Sequence, residues 1–363
     1  MHIVMIGARK LYPNTLGGLD FYVRELSEYL AQNGYTISLY CHRQNLESRC
    51  QLPTNIRLKP IWTYNRHHLD TFLYGLLASF KSIFEKTDFV HYHGGSALFC
   101  WIPKMVGKKI IVTLHSQEWF SPHISLFLRF FYYLGEWIGV KGADHLCCVS
   151  KTLRQSLQKR YKRDVVYIPL GLNIQSYSGR EKLSSIGLKP KNYLLFMGRL
   201  EKGKGIELLF EAYKNFSWQS QYPLVIAGVP LYNHQYLMEL KEKAPPNILF
   251  LGRIEGNFKK ELLTNALLYV QASQAEGLSI ALLEAMSYGC PTLVSNIEPN
   301  LEAIAEGSLF FKNSDPLDLQ IQLEKLLCDP AHLEIMGQKA KRKIEQDYSW
   351  VRSQDFIAKL YNN

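Results

Sequence analysis

The chain has 363 residues, 47% of them apolar, and a formal net charge of +10, which is long for one core and comfortable for two domains of roughly 150 residues each. No run approaches the ~18 uninterrupted apolar residues of a spanning helix, the opening MHIVMIGARK shows no cleavable apolar stretch behind a basic one, and the seven cysteines are odd in number with no CxxC spacing, so a reducing cytoplasm is the expected location. The charge excess lies in the first half: residues 1 to 175 hold 21 Lys and Arg against 11 Asp and Glu, whereas 176 to 363 hold 21 against 21; this suits either an anionic membrane surface or plain solubility, while no helix-turn-helix, zinc-finger spacing or base-stacking motif points to nucleic acid.

In chain order, a buried-strand run HIVMIG leads into a loop with Gly17 and Gly18 and then the helical pattern GLDFYVRELSEYLAQNG. Paired glycines at a helix mouth let backbone approach a ligand closely, but the GxGxxG spacing of dinucleotide folds is absent. Strand-like TISLYCH, FVHYHG, KIIVTLHS and DHLCCVS follow, with helical patterns over Leu69 to Phe84 and over 124 to 140. Such alternation argues for a doubly wound parallel sheet. His91, His93 and His115 fall at or near strand ends, where an open sheet binds ligands; with no third ligand at motif spacing and no DxD, a metal is not expected. The two apolar helices, the second reading ISLFLRFFYYLGEWIGV, suit a membrane interface or a sheet-covering role.

YIPLGLN, residues 167 to 173, interrupts the pattern and suits an interdomain turn. A second series then runs YLLFMG, IELLFEAYKNF, PLVIAG, a helix around Tyr236 to Lys243, ILFLG, a short helix near Lys259 to Leu263, and LLYVQAS. After YLLFMG comes GRLEKGKG, residues 198 to 205. It nearly spells the phosphate loop of nucleotide hydrolases, but Gly205 stands where a magnesium-binding Ser or Thr is required. Arg199 can grip two phosphate oxygens in a fork, and Lys204 can supply a point charge. Last comes AEGLSIALLEAMSYGCPTLVSN, which places Glu276 and Gly277 in a loop, a helix from about Ser279 that carries Glu284, and a cap at Gly289. Unpaired N–H groups at such a helix start favour phosphate oxygens. A carboxylate beside them makes sense if the ligand also carries hydroxyls, which donate to it.

The glutamate pair eight residues apart resembles the nucleotide-sugar signature of the retaining glycosyltransferases of family 4, and the order of the other motifs fits. GGLDFYVRELSEYLAQNGYTISLYCHR further resembles bacterial rhamnosyl- and galactosyl-type transferases of surface polysaccharide synthesis. The resemblance implies the α/β GT-B fold, two Rossmann-like doubly wound parallel-sheet domains facing a cleft. They would be an acceptor-side domain over 1–172 and a nucleotide-sugar domain over 173–346, with a C-terminal helix of about 347–363 returning to the first. It implies a retaining, metal-independent transfer from a nucleoside-diphosphate sugar to a hydroxyl of a glycan or lipid-linked glycan, with no cofactor. Carried over residue by residue, His115, Arg199, Lys204 and Glu276 would be catalytic. Gly17, Gly18, Arg199, Lys204, Glu276, Gly277, Leu278, Ser279 and Glu284 would bind the donor, Glu284 at the ribose and Glu276 at the sugar. A sugar-nucleotide epimerase or phosphorylase, or a non-catalytic partner subunit on the same architecture, are the other classes the motifs admit.

Overall fold

The structure is a computed structural model, which describes residues 1–12, 15, 17–43, 52–63, 67–120, 125–172, 176–230 and 234–361. The chain divides into two compact units, Met1–Gly171 with Ser353–Asn363, and Leu172–Arg352.

In unit 1 the strands are β1 (His2–Ile6), β2 (Thr36–His42), β3 (Ile56–Ile61), β4 (Phe89–His93), β5 (Lys109–Leu114), β6 (His145–Cys148) and β7 (Val166–Tyr167). They form one sheet in the order β3-β2-β1-β4-β5-β6-β7, and every pairing is parallel. β1, β4 and β5 are almost wholly buried, as a sheet covered on both faces requires. One face is covered by α2 (His67–Ser82), α3 (Trp101–Met105), α4 (Leu126–Gly142) and α5 (Lys151–Tyr161). Tyr74, Ala78, Val140, Leu153 and Leu157 from these helices share a core with Val4, Val90, Tyr92 and Val112. α1 (Gly18–Gln32) buries Tyr22, Val23, Leu26 and Leu30.

Helix α4 begins at Leu126, where Ser125 caps it by accepting from the Leu128 amide; Ile124, the expected start, lies outside the described residues. β3 does not stand out in the sequence because IRLKPI mixes Arg57, Lys59 and Pro60 into the run. Its place at the edge of the sheet explains how a proline is tolerated there.

Unit 2 repeats the plan. β8 (Leu194–Met197), β9 (Leu224–Ala227), β10 (Ile248–Gly252), β11 (Leu268–Gln271), β12 (Thr292–Ser295) and β13 (Phe310–Phe311) pair in the order β10-β9-β8-β11-β12-β13. All these pairings are parallel. Its helices are α6 (Glu181–Ser185), α7 (Ile206–Lys214), α8 (His234–Lys243), α9 (Gly256–Asn265), α10 (Ile280–Ser287), α11 (Glu298–Ala303), α12 (Pro316–Leu327) and α13 (Pro330–Asp347). The last helix, α14 (Trp350–Tyr361), buries Ser353 in unit 1, where its hydroxyl donates to the Pro169 carbonyl at 2.8 Å. Among the described residues no helix is long and apolar enough to cross a membrane.

Both sheets reverse their strand order once, between β1 and β4 and between β8 and β11. Crevices outside the carboxyl ends of strands at such reversals are where doubly wound sheets take ligands. The candidate residues fall at both places.

Candidate functional site

In unit 2 the loop after β8 carries Arg199 and Lys204, and the loop after β11 carries Glu276. Gly205 sits between the turn Lys202–Lys204 and α7 with φ +68, and a Cβ there would stand 2.0 Å from the Ala272 carbonyl oxygen. Only glycine fits, because the left-handed backbone and the close approach both exclude a side chain. The hydroxyl missing from the phosphate-loop pattern therefore has no room in this fold. The Gln274 amide donates to the Gly203 carbonyl at 3.0 Å, tying the two loops together.

Across that tie the Lys204 ammonium donates to Glu276 Oε1 at 2.6 Å. The two side chains keep 20% and 10% of their surface exposed. The same oxygen accepts from Gln271 Nε2 at 2.9 Å. Gln271 is buried at the end of β11 and held from behind: its Nε2 also donates to Ser273 Oγ at 2.6 Å, and its Oε1 lies 2.7 Å from the Tyr269 hydroxyl. Glu276 is thus fixed in one pose, as an acceptor with a second oxygen to offer.

Ser279 starts α10 by accepting from the Leu282 amide at 3.3 Å. Among the described residues no acceptor answers the backbone N–H groups of Gly277, Leu278 and Ser279. Three free donors ahead of a helix N-terminus make a place for an anion. Glu284 lies one turn into α10, where its Oε1 accepts from Lys259 of α9 at 2.5 Å. Gly289 ends the helix with φ +71, as its position in the sequence predicts.

Arg199 is exposed and pairs with Glu201 at 3.2 Å. The structure therefore brings Lys204, Glu276 and the start of α10 together, and gives Glu284 and Arg199 partners that the motifs do not announce. Lys259 and Gln271 are new to the site. Gln271 left a signal, a polar residue closing the apolar run LLYVQ; Lys259, on a separate helix, left none.

In unit 1, His91, His93 and His115 gather at the ends of β4 and β5. His93 Nδ1 is 3.2 Å from His115 Nε2, and the rings of His91 and His93 lie 4.1 Å apart. His91 is held between Tyr361 of α14, 2.6 Å from Nδ1, and Thr113, 2.7 Å from Nε2. Burial pulls His91 down to about 3 and lowers His93 well below the usual range. His115 is partly exposed, and burial lowers it to about 3. All three rings are neutral near pH 7. His93 Nε2 and the Tyr22 hydroxyl are buried with no hydrogen-bond partner, and Tyr22 lies edge-on to His115 at 4.9 Å.

Gly17 caps α1 with an extended φ of −167, and Gly18 is the first helical residue. Asp144 and Ser150 are structural: Asp144 accepts from the Ile110 amide and pairs with Lys104, and Ser150 caps α5. Among the described residues no group of three or more His, Cys, Asp or Glu side chains is placed to hold a metal ion.

Residues 16–176 match the model of Glycosyltransferase Family 4, and residues 180–343 match that of Glycosyl transferases group 1. The D-rhamnosyltransferase WbpZ of Pseudomonas aeruginosa is 25% identical over 76% of this chain and 73% of its own. Among solved structures, sucrose-phosphate synthase from Thermosynechococcus elongatus superposes with a TM-score of 0.84 at 20% identity, covering 99% of this chain and 98% of that one. Anabaena HepE in complex with UDP-glucose superposes with a TM-score of 0.80 at 15% identity, covering 100% of both chains. With a glycosyltransferase model matched on each half and two parallel α/β sheets of this order, the chain is a glycosyltransferase of the GT-B fold.

Proposed function

We propose that this glycosyltransferase takes its sugar from a nucleoside diphosphate and delivers it, with retention and without a metal, to a hydroxyl of a glycan or lipid-linked glycan of a surface polysaccharide. The observation that carries the reading is the Lys204–Glu276 pair at the strand-order reversal of unit 2, beside the open N–H groups ahead of α10. A cation and a helix start favour a diphosphate, and a fixed carboxylate favours the hydroxyls of the sugar attached to it. The solved complex of HepE with UDP-glucose and the rhamnosyltransferase relative support this class of donor and product.

Each residue then has a task. As the bond from the anomeric carbon to the diphosphate oxygen breaks, negative charge grows on the leaving group; Lys204, Arg199 and the N–H groups of Leu278 and Ser279 stabilise it. Glu276 accepts from hydroxyls of the donor sugar, and Glu284 from those of the ribose. The acceptor oxygen bonds to the same face of the anomeric carbon, and its proton passes to the departing phosphate oxygen. The neutral ring of His115 turns its Nε2 to His93, so Nδ1 is the atom it can offer a ligand at the end of β5. An acceptor carried on a lipid would be met at the cytoplasmic face of a membrane.

The test is thermal unfolding in the presence of UDP-, GDP- and dTDP-sugars. A donor at a hundredfold its dissociation constant stabilises by ~2.7 kcal/mol, and Lys204→Ala, whose loss should fall on turnover, should keep most of that shift. If no nucleotide sugar raises the melting temperature of the unaltered protein, the donor assignment is wrong. An inverted anomeric coupling in the product's proton NMR spectrum would overturn retention.

A further inference from the structure

Aromatic exposure is as lopsided in this molecule as charge. Among the described residues of unit 2 the one well-exposed aromatic ring is Phe310. Unit 1 exposes Phe80 of α2, Phe84 just after it, Trp101 of α3, and Phe127, Phe130 and Trp137 of α4, with Phe127 70% exposed. These helices lie on one face of the sheet, α3 packed against both α2 and α4. Their inner sides fill the core, so the rings stand on the outer side of a single layer. A soluble surface has no reason to gather bulky rings in this way, and contiguous exposed apolar patches mark interaction sites.

The charges of the same layer say what it meets. The only carboxylates on α2, α3, α4 and α5 are Asp70 and Glu136, and both are buried. Asp70 faces His42 at 3.1 Å, and Glu136 accepts from Trp119 at 2.9 Å and Tyr161 at 2.8 Å. The exposed ends carry Lys81, Lys141, Lys151, Arg154 and Lys159 instead. Just beyond these helices Glu85 pairs with Lys59 and Asp144 with Lys104, so the helices themselves present rings and basic groups, which fit the interface of an anionic bilayer: the rings enter the headgroup region and the basic groups stay at the phosphates. A protein partner would have to be both acidic and apolar over the same area, and nothing else on this surface selects one.

We propose that the outer side of α2 to α5 docks unit 1 on an anionic lipid surface. The inference rests on the transfer reading only for why the enzyme would visit a membrane, and vesicle binding is measured with no sugar donor, so the two can fail separately. The full chain is sedimented with vesicles of phosphatidylcholine alone and with about a third phosphatidylglycerol, at ~0.1 M and ~1 M salt, between which the screening length falls from ~10 to ~3 Å. Binding is expected with the anionic vesicles at low salt and should be largely stripped at high salt. Phe127→Ser with Phe130→Ser, and separately Lys141→Glu with Lys159→Glu, should each weaken it by roughly tenfold or more. The lysine pair is exposed, so it keeps the test decisive should the aromatic pair misfold. A protein left in the supernatant, equal binding to neutral lipid, unchanged binding in the folded lysine variant, or a stable dimer that shields Phe127 from quenching would each overturn the proposal.

Discussion

Replacing Lys204 by alanine should separate the fold from the chemistry. In the free protein the ammonium meets Glu276 at 2.6 Å, with 20% and 10% of the two side chains exposed, so solvent screens the pair only in part and its loss costs about 1–2 kcal/mol. The glutamate is not orphaned by the change, because Gln271 still donates to it at 2.9 Å. For a domain of this size such a loss moves the melting temperature by about 2–8 °C. Turnover is another matter, since the same ammonium is assigned to charge that develops as the diphosphate leaves. Removing one preorganised donor of that kind costs about 10²- to 10³-fold in rate, or ~2.7–4 kcal/mol. The assay is steady-state transfer by purified Lys204→Ala, with kcat and KM resolved and the melt recorded alongside. A fall carried by kcat supports leaving-group stabilisation, whereas a rise in KM alone reduces Lys204 to a ground-state contact. Near-normal turnover in a folded variant would refute the assignment. A melt lowered far beyond the few degrees above would show that the pair holds the two loops together.

Two further outcomes are expected. Transfer should survive EDTA if, as proposed, the negative charge is met by Lys204, Arg199 and the helix start; activity lost to chelation and restored by Mg²⁺ or Mn²⁺ would overturn the metal-free reading. Acid should weaken the protein through His91 and His93, whose folded values lie far below the ordinary value near 6.5. The unfolded chain binds protons that the folded one refuses, so this stability is complete above pH 6.5 and drains as pH falls. At pH 5 each ring costs about 2 kcal/mol, and urea midpoints at pH 7.5 and 5.0 measure the sum; equal midpoints would show that the rings are not held neutral.

The order of strands and helices is legible in the sequence wherever burial is two-sided, since β1, β8 and β11 are apolar runs closed by polar or glycine residues. What escapes it is one-sided. β3 carries charges because an edge strand faces water, and α5 buries Leu153 and Leu157 alone among KTLRQSLQKRY, too thin a stripe to announce a helix. Which strand neighbours which is not written in periodicity at all; it follows from how the crossovers twist, and it decides where the ligand sits.

The site divides in the same way. Lys204, Glu276 and the Ser279 helix start are readable because each depends on local backbone: a glycine turn, a loop, a cap. Their pairing is not, as Lys204 and Glu276 stand 72 residues apart, and Lys259 and Glu284 lie on different helices. The pairing also answers an objection that the sequence raises. Carboxylates beside an anion site should repel the anion, yet here each is matched to a lysine, so they add no net charge to the site. What they do instead is hold the cation still. A lysine on four rotatable bonds loses entropy when it grips a phosphate, and Glu276, itself held by Gln271, has already taken much of that freedom from Lys204. On the proposed reading, an arriving diphosphate would meet an ordered ammonium, and the sugar behind it would meet the glutamate oxygen that the lysine leaves open.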